Sequence, residues 1–235
     1  LIHVMFTYFI LYHPLNIKTY NDIPKEMLKE VYNPGKTDGS GNNRKNLRQA
    51  MQILKKANYK LDNKILKDPE GREIKFEILL ISPAFERIVG PFIKNLKKLG
   101  VEASIRIVDT AQYKNRLDNY EFDMVVMARG QSLNPGNEQR NFWSSKSADI
   151  NGSANWIGIK NKTVDELIEL IINSPTREKL ILYTKVLDRV LLQNHYVIPH
   201  WHIKIWRVAY WSTIKRPENL PKYSLGFPET WWYNK

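Results

Sequence analysis

The chain has 235 residues, enough for one large domain or two modest ones, and its 43% apolar content suits a packed core, not a disordered polymer. It has no cysteine, which excludes disulfide frameworks, thiolate nucleophiles and cysteine-bearing zinc sites. Lys and Arg outnumber Asp and Glu by 36 to 24, a formal charge of +12 that admits nucleic acid, an anionic surface or an acidic ligand as partner. The lysines are dispersed over runs such as "LKKANYKLDNKILKD", which read as solvated faces, and no nucleic-acid recognition motif accompanies them.

The opening "LIHVMFTYFILYHPL" is apolar but lacks the basic segment and small-residue cleavage site of a secretory signal, and it is too short to cross a bilayer. Residues 1–21 are therefore read as a ragged or non-native N-terminal segment. "NDIPKEMLKEVY" predicts a helix with Asp22 as cap and Pro24 in its first turn. A Gly- and Pro-rich loop over residues 33–43 leads into a second helix, "RKNLRQAMQILKKANY", capped by Asn42 or Asn43, with Leu47, Ala50, Met51, Leu54 and Ala57 on its apolar face.

"YKLDNKIL" and "EIKFEILLI" flank the turn "KDPEG", which predicts a hairpin with Ile74, Phe76, Ile78 and Leu80 on one face. "AFERIVGPFIKNLKKLG" is apolar at helical spacing and stops at Gly100, although Gly90 and Pro91 weaken its middle. "VEASIRIV" alternates, with Val101, Ala103, Ile105 and Ile107 expected inward. A short helix near "AQYKNRLDN" precedes the buried strand "FDMVVMA". This βαβ pattern with further elements appended indicates an α/β sheet covered by helices.

Residues 129–162 form the longest stretch without period, and loops of that length usually serve function or inter-domain packing. "TVDELIELIIN", with Thr163 and Glu166 at capping-box spacing, and "SPTREKLILYTKVLDRVLLQN", with Ser174 and Pro175 at its start, predict a packed helical pair. "HYVIPHWHIKIWRVAYW" reads as one or two strands before a Pro-rich aromatic tail.

No constellation nominates chemistry. His195, His200 and His202 lie among aromatic residues without a recognised ligand motif, so no metal site is expected. Glu138 beside Arg140 lacks the second carboxylate or nucleophile of a hydrolase, and "TDGSGNN" lacks the Lys-Ser/Thr of a phosphate loop. The chain is thus expected to be neither an enzyme nor a cofactor carrier. Of its seven tryptophans, Trp143 and Trp156 fall in the aperiodic stretch, where they suit a ligand or cleft wall as well as core packing.

The segments "NPGKTDGSGNNRKNLRQAMQILKKANY", "VVMARGQSLNPGNEQRNFW", "NWIGIKNKTVDELIELI", "LDRVLLQNHYVIPHWHIKIWRVAYW" and "LGFPETWW" together resemble the C-terminal part of family 5 extracellular solute-binding proteins. The likeness is greatest to their YejA-type branch, associated with peptide uptake through an ABC importer. It implies an α/β fold of the periplasmic-binding-protein type, in which two lobes enclose a ligand. Residues 22–128 would be the distal lobe, and 129–235 the crossover loop and C-terminal part of an incomplete proximal lobe.

The implied function is non-catalytic binding of oligopeptides or peptide-like solutes, by a periplasmic monomer, for an inner-membrane ABC permease. The truncation also admits a non-functional product. A basic nucleic-acid- or surface-binding α/β protein is the alternative. Many relatives carry an aspartate after the strand for a peptide's amino group, whereas Arg129, Gly130, Gln131 and Ser132 stand here; Arg129 suits a carboxylate or phosphate. Because open α/β sheets bind ligands beyond the C-terminal ends of their strands, Arg129, Gln131, Asn137, Glu138 and Gln139 are expected to face the cleft, with Trp156 as an apolar wall.

Overall fold

The computed structural model describes residues 2–7, 37–199, 207–220 and 224–234. The helix expected over "NDIPKEMLKEVY" and the histidines His200 and His202 lie outside the described residues. The elements in chain order are β1 (Ile2–Thr7), α1 (Arg44–Lys56), β2 (Lys60–Asp62), β3 (Ile65–Lys67), β4 (Lys75–Leu80), α2 (Glu86–Lys98), β5 (Glu102–Ile107), α3 (Thr110–Asp118) and β6 (Met124–Gln131). There follow α4 (Glu138–Trp143), α5 (Lys162–Ile172), α6 (Arg177–Gln193), β7 (Ile198–Pro199), β8 (Ile214–Lys215) and β9 (Trp232–Tyr233).

The expected βαβ units form: β4 runs parallel to β5 on one side and to β6 on the other, and the sheet order is β5-β4-β6-β1-β7. The continuous apolar run of β4 follows from coverage on both faces. Ile78 and Leu80 pack with Val89 of α2 and Met124 of β6, while Leu79 packs on the opposite face with Tyr113 and Leu117 of α3 and Val125 of β6. At the sheet edge β5 pairs, among the described residues, with β4 alone. There Ile107, expected inward, is 41% exposed, because it ends an edge strand beyond its apolar neighbours.

The first hairpin is tighter than the sequence predicts. "YKLDNKIL" is not one strand but two, β2 and β3, folded back on each other at Asn63 and Lys64. Both turn residues have positive φ, 47° and 67°, the conformation that a two-residue hairpin needs to match the strand twist. The "KDPEG" turn then returns the chain to β4, with Asp68 N–H bonded to the Arg72 carbonyl at 2.9 Å. Helix α1 buries none of its residues fully, but Leu47, Ala50, Met51 and Leu54 lie against Leu66, Leu96, Leu99 and Val101.

Helices α5 and α6 form the expected pair around Val164, Leu167, Ile168, Ile171, Val186, Leu187 and Val190. Their caps lie elsewhere than the spacing suggested. Asn161, not Thr163, caps α5, its side chain accepting from Thr163 N–H at 2.9 Å and Val164 N–H at 3.3 Å, while Thr163 is buried. Thr176, not Ser174, caps α6 through Lys179 N–H at 3.3 Å. Asn161→Ala is expected to lower stability by about 1 kcal/mol, the usual cost of a lost cap. Glu166→Ala should cost clearly less when the urea midpoints of the two variants are compared, since Glu166 stands 3.9 Å from Lys162.

Strand β6 joins the two kinds of pairing. Met124 and Val125 align with Ile78 and Leu79 of β4, and the rest of the strand pairs antiparallel with β1, from Thr7 opposite Val126 to Ile2 opposite Gln131. Arg129, Gly130 and Gln131, read from the sequence as the start of a loop, are therefore in a strand. Backbone pairing with β1 extends it past the apolar run. The lobe boundary expected at 128/129 falls inside this strand.

Candidate functional site

The end of β6 places Arg129 and Gln131 on the same side of the strand, two residues apart. Arg129 is 5% exposed, yet it is enclosed by rings. Its guanidinium carbon stands 4.3 Å from the centre of the Phe142 ring, 4.5 Å from Trp143 and 4.5 Å from Trp156, and its Nη2 donates to the Ala154 carbonyl. The planar cation thus ties β6 to α4 and to the segment that follows it, with cation–π attraction on several sides.

Beside it the amides of Gln131 and Gln139 pair with each other, at 2.9 Å and 3.3 Å. Gln139 is 2% exposed, and its carbonyl also accepts from Trp143 Nε1 at 3.1 Å, so its orientation is held from two directions. Glu138 accepts from Gly136 N–H with both oxygens at 3.0 Å and from the Gln139 amide at 3.2 Å. Asn137 Oδ1 accepts from Arg140 Nη1 at 2.6 Å. Glu138 and Arg140, near neighbours in the sequence, make no ion pair with each other among the described residues. Arg140 instead makes two parallel bonds to Glu169 of α5, at 2.8 Å and 2.7 Å.

Those bonds hold the Glu169 carboxyl below the usual carboxylate range. A depressed pKa adds stability above the unfolded value, and this is lost as pH falls through the lowered folded one. Both partners are about half exposed, so the contribution is screened and small. Arg140→Gln is expected to lower the urea midpoint slightly at neutrality and to converge with the unsubstituted protein as pH falls through the carboxylate range, where protonated Glu169 no longer gains from the pair.

A cavity of about 470 Å³ opens between this end of β6 and helix α6. Arg129, Gln131 and Gln139 line it on one side; Leu180, Ile181, Thr184 and Lys185 of α6 line it on the other. Arg177 at the start of α6 closes the rim, donating from Nη1 to the Leu133 carbonyl at 2.9 Å and to Asn134 Oδ1. Of the six residues expected at the cleft, the structure brings Arg129, Gln131 and Gln139 to this cavity. Asn137 and Glu138 fasten the loop and α4 behind it. Trp156 stacks on Arg129 and lines a separate hollow of about 290 Å³ with Tyr120, Phe122 and Lys160.

Sequence reading missed the α6 wall, and the signal for it was present. Arg177, Ile181, Lys185 and Arg189 recur every four residues, a stripe distinct from the core-facing Val186, Leu187 and Val190. Among the described residues no group of three or more His, Asp or Glu is placed to hold a metal, and no helix is long and apolar enough to cross a membrane.

The model of the bacterial extracellular solute-binding proteins, family 5 (middle region), matches residues 10–151. The chain belongs to this family. The uncharacterized protein y4wM of Sinorhizobium fredii is 42% identical over 221 residues, 92% of this chain and 33% of that protein. The probable peptide-binding protein YejA of Agrobacterium fabrum is 41% identical over 216 residues, again 92% of this chain and 35% of the relative. This family 5 chain therefore spans about a third of the length of the curated relatives it matches. Among solved structures, the oligopeptide-binding protein AppA from Bacillus subtilis, in complex with a nonapeptide, superposes with a TM-score of 0.60 at 22% identity, over 80% of this chain and 37% of AppA. That likeness shows the fold, the α/β architecture of periplasmic binding proteins.

Proposed function

We propose that this family 5 chain forms part of a receptor that binds oligopeptides or peptide-like solutes in the periplasm and delivers them to an inner-membrane ABC import permease. The observation that carries the reading is the cavity at the end of β6. Its size falls within the roughly 300–1,000 Å³ of small-molecule sites, and its walls are mostly apolar with a few oriented polar groups, as such sites are built. Peptides suit it chemically: the half-buried Gln131 amide, oriented by Gln139, can exchange hydrogen bonds with a peptide backbone whatever its side chains, while Trp143, Leu180 and Ile181 offer apolar contact. The name of YejA and the nonapeptide bound to AppA support the same ligand class.

Binding without catalysis is the accompanying reading. Among the described residues that line the cavity, the one carboxylate, Asp188, is paired with Arg189 at 2.8 Å, and no nucleophile stands beside a base. The test is calorimetric titration of the purified chain with short peptides, beside retention on immobilised DNA at rising salt. Saturable heat with peptides, and a loss of about 2- to 10-fold in affinity for Gln131→Ala, is the expected result, the size of one neutral hydrogen bond. No peptide binding, together with salt-dependent retention on DNA, would favour the basic nucleic-acid-binding alternative.

A further inference from the structure

We infer that the cavity between β6 and α6 selects ligands carrying a carboxylate beside an apolar body, which for peptides means those with an acidic side chain. This deepens the peptide-binding reading and rests on it. The basic residues are unevenly distributed around the cavity.

Among the described residues, four basic side chains line it, Arg129, Arg177, Lys185 and Arg189, against the single acid Asp188. They are not equivalent. Arg129 is walled in by three rings and already donates to the Ala154 carbonyl, so it supplies positive potential from inside the wall. Arg177 is anchored by one nitrogen to Leu133 and Asn134, which leaves its remaining donors directed by that anchor. Arg189 is matched by Asp188. Lys185 is exposed, and among the described residues it takes part in no ion pair. It sits one turn along α6 from the apolar Ile181, and Arg177 and Arg189 lie two turns before it and one turn after it on the same stripe.

The exposed positive charge is therefore centred on Lys185 of the α6 wall, while the opposite wall offers the Gln131 amide and the Trp143 ring in front of the enclosed Arg129 cation. A ligand whose backbone meets the Gln131 amide and whose apolar part meets Trp143 and Ile181 would present a neighbouring side chain to Lys185. A carboxylate there gains a charge-assisted hydrogen bond, a neutral amide gains a weaker one, and an ammonium group is repelled. Low-dielectric apolar walls focus the field and strengthen that discrimination.

The experiment titrates the full chain with three tetrapeptides, Ala-Leu-Glu-Ala, Ala-Leu-Gln-Ala and Ala-Leu-Lys-Ala, at low and high salt. The expected order is Glu, then Gln, then Lys, with the Glu peptide about 10-fold tighter than the Gln peptide at low salt and the gap narrowing as salt rises. Lys185→Glu is expected to abolish or reverse the order, and Lys185→Gln to shrink it, with circular dichroism confirming that each variant is folded. Equal affinity for all three peptides would overturn the inference and leave peptide binding standing. A preference for Glu that survives both Lys185 substitutions would overturn the assignment to this cavity. Binding of none of the three would overturn the peptide-binding reading itself, and the selectivity with it.

Discussion

Gly100→Ala is expected to lower the unfolding free energy by about 2–5 kcal/mol, the sum of left-handed backbone strain and overpacking. Gly100 ends α2 with φ +82°, and its N–H bonds to the Lys97 carbonyl at 3.0 Å while Val101 N–H bonds to Leu96 at 3.1 Å, which closes the helix. The same residue's carbonyl accepts from Leu66 N–H at 2.7 Å and so pins the β2–β3 hairpin against the helix end. A Cβ at this position would overlap the Leu61 side chain and stand 2.8 Å from Leu66 N and 2.9 Å from the Lys64 carbonyl, and backbone atoms cannot swing aside. Gly71 is the control, with φ +87° and nothing within 4 Å of its added Cβ. Its alanine variant should cost only the strain, about 1–2 kcal/mol. Urea denaturation of both variants reads the difference; equal losses would show that the close approach at Gly100 relaxes at no cost.

The second large effect is expected at Arg129. Arg129→Ala removes a charge-assisted hydrogen bond to the Ala154 carbonyl, stacking on three rings and the volume that those rings enclose. The expected loss of stability is about 3–5 kcal/mol, within the range of large-to-small substitutions at buried sites. Arg129→Met keeps most of the side-chain volume and should recover more than half of that loss, because hydrophobic replacement of a buried cation avoids its desolvation cost. The methionine variant is thus stable enough for titration, where affinity for the Glu-bearing tetrapeptide should fall several-fold if the guanidinium's charge reaches the ligand. Unchanged peptide affinity in Arg129→Met, with lowered stability in Arg129→Ala, would make Arg129 a strut between β6 and α4 and remove it from the binding surface. Wild-type stability in Arg129→Ala would refute the strut.

The residues that could be read in advance are those whose signal is local. Leu47, Met51 and Leu54 mark α1 by spacing alone, and Gly100 announces the end of α2 because only glycine takes positive φ there without cost. Apolar strands separated by helical patterns left few alternatives to parallel pairing of β4 with β5 and β6, and that pairing forms. Fine placement failed wherever a competing local partner existed. Asn161 and Thr163 are both able to cap α5, and the choice falls to Asn161 because burial removes Thr163 to the core side of the helix.

The site was legible only in its polar composition. "ARGQSLNPGNEQRNFW" is rich in hydrogen-bonding side chains, and three of the six residues singled out there or nearby do meet at the cavity. Nothing in the stretch shows that Arg140 would pair with Glu169, or that Phe142, Trp143 and Trp156 would close around one guanidinium. The sequence by itself thus determined the helices, the parallel βαβ core and the polar character of the crossing segment, since propensity and periodicity act over a few residues. Tertiary structure alone decided that Arg129 and Gln131 belong to a strand, through pairing with the distant β1, and that α6 supplies the facing wall. The physical reason is that burial, ring stacking and ladder hydrogen bonds depend on which residues meet in space, and those partners are separated in the chain by whole elements.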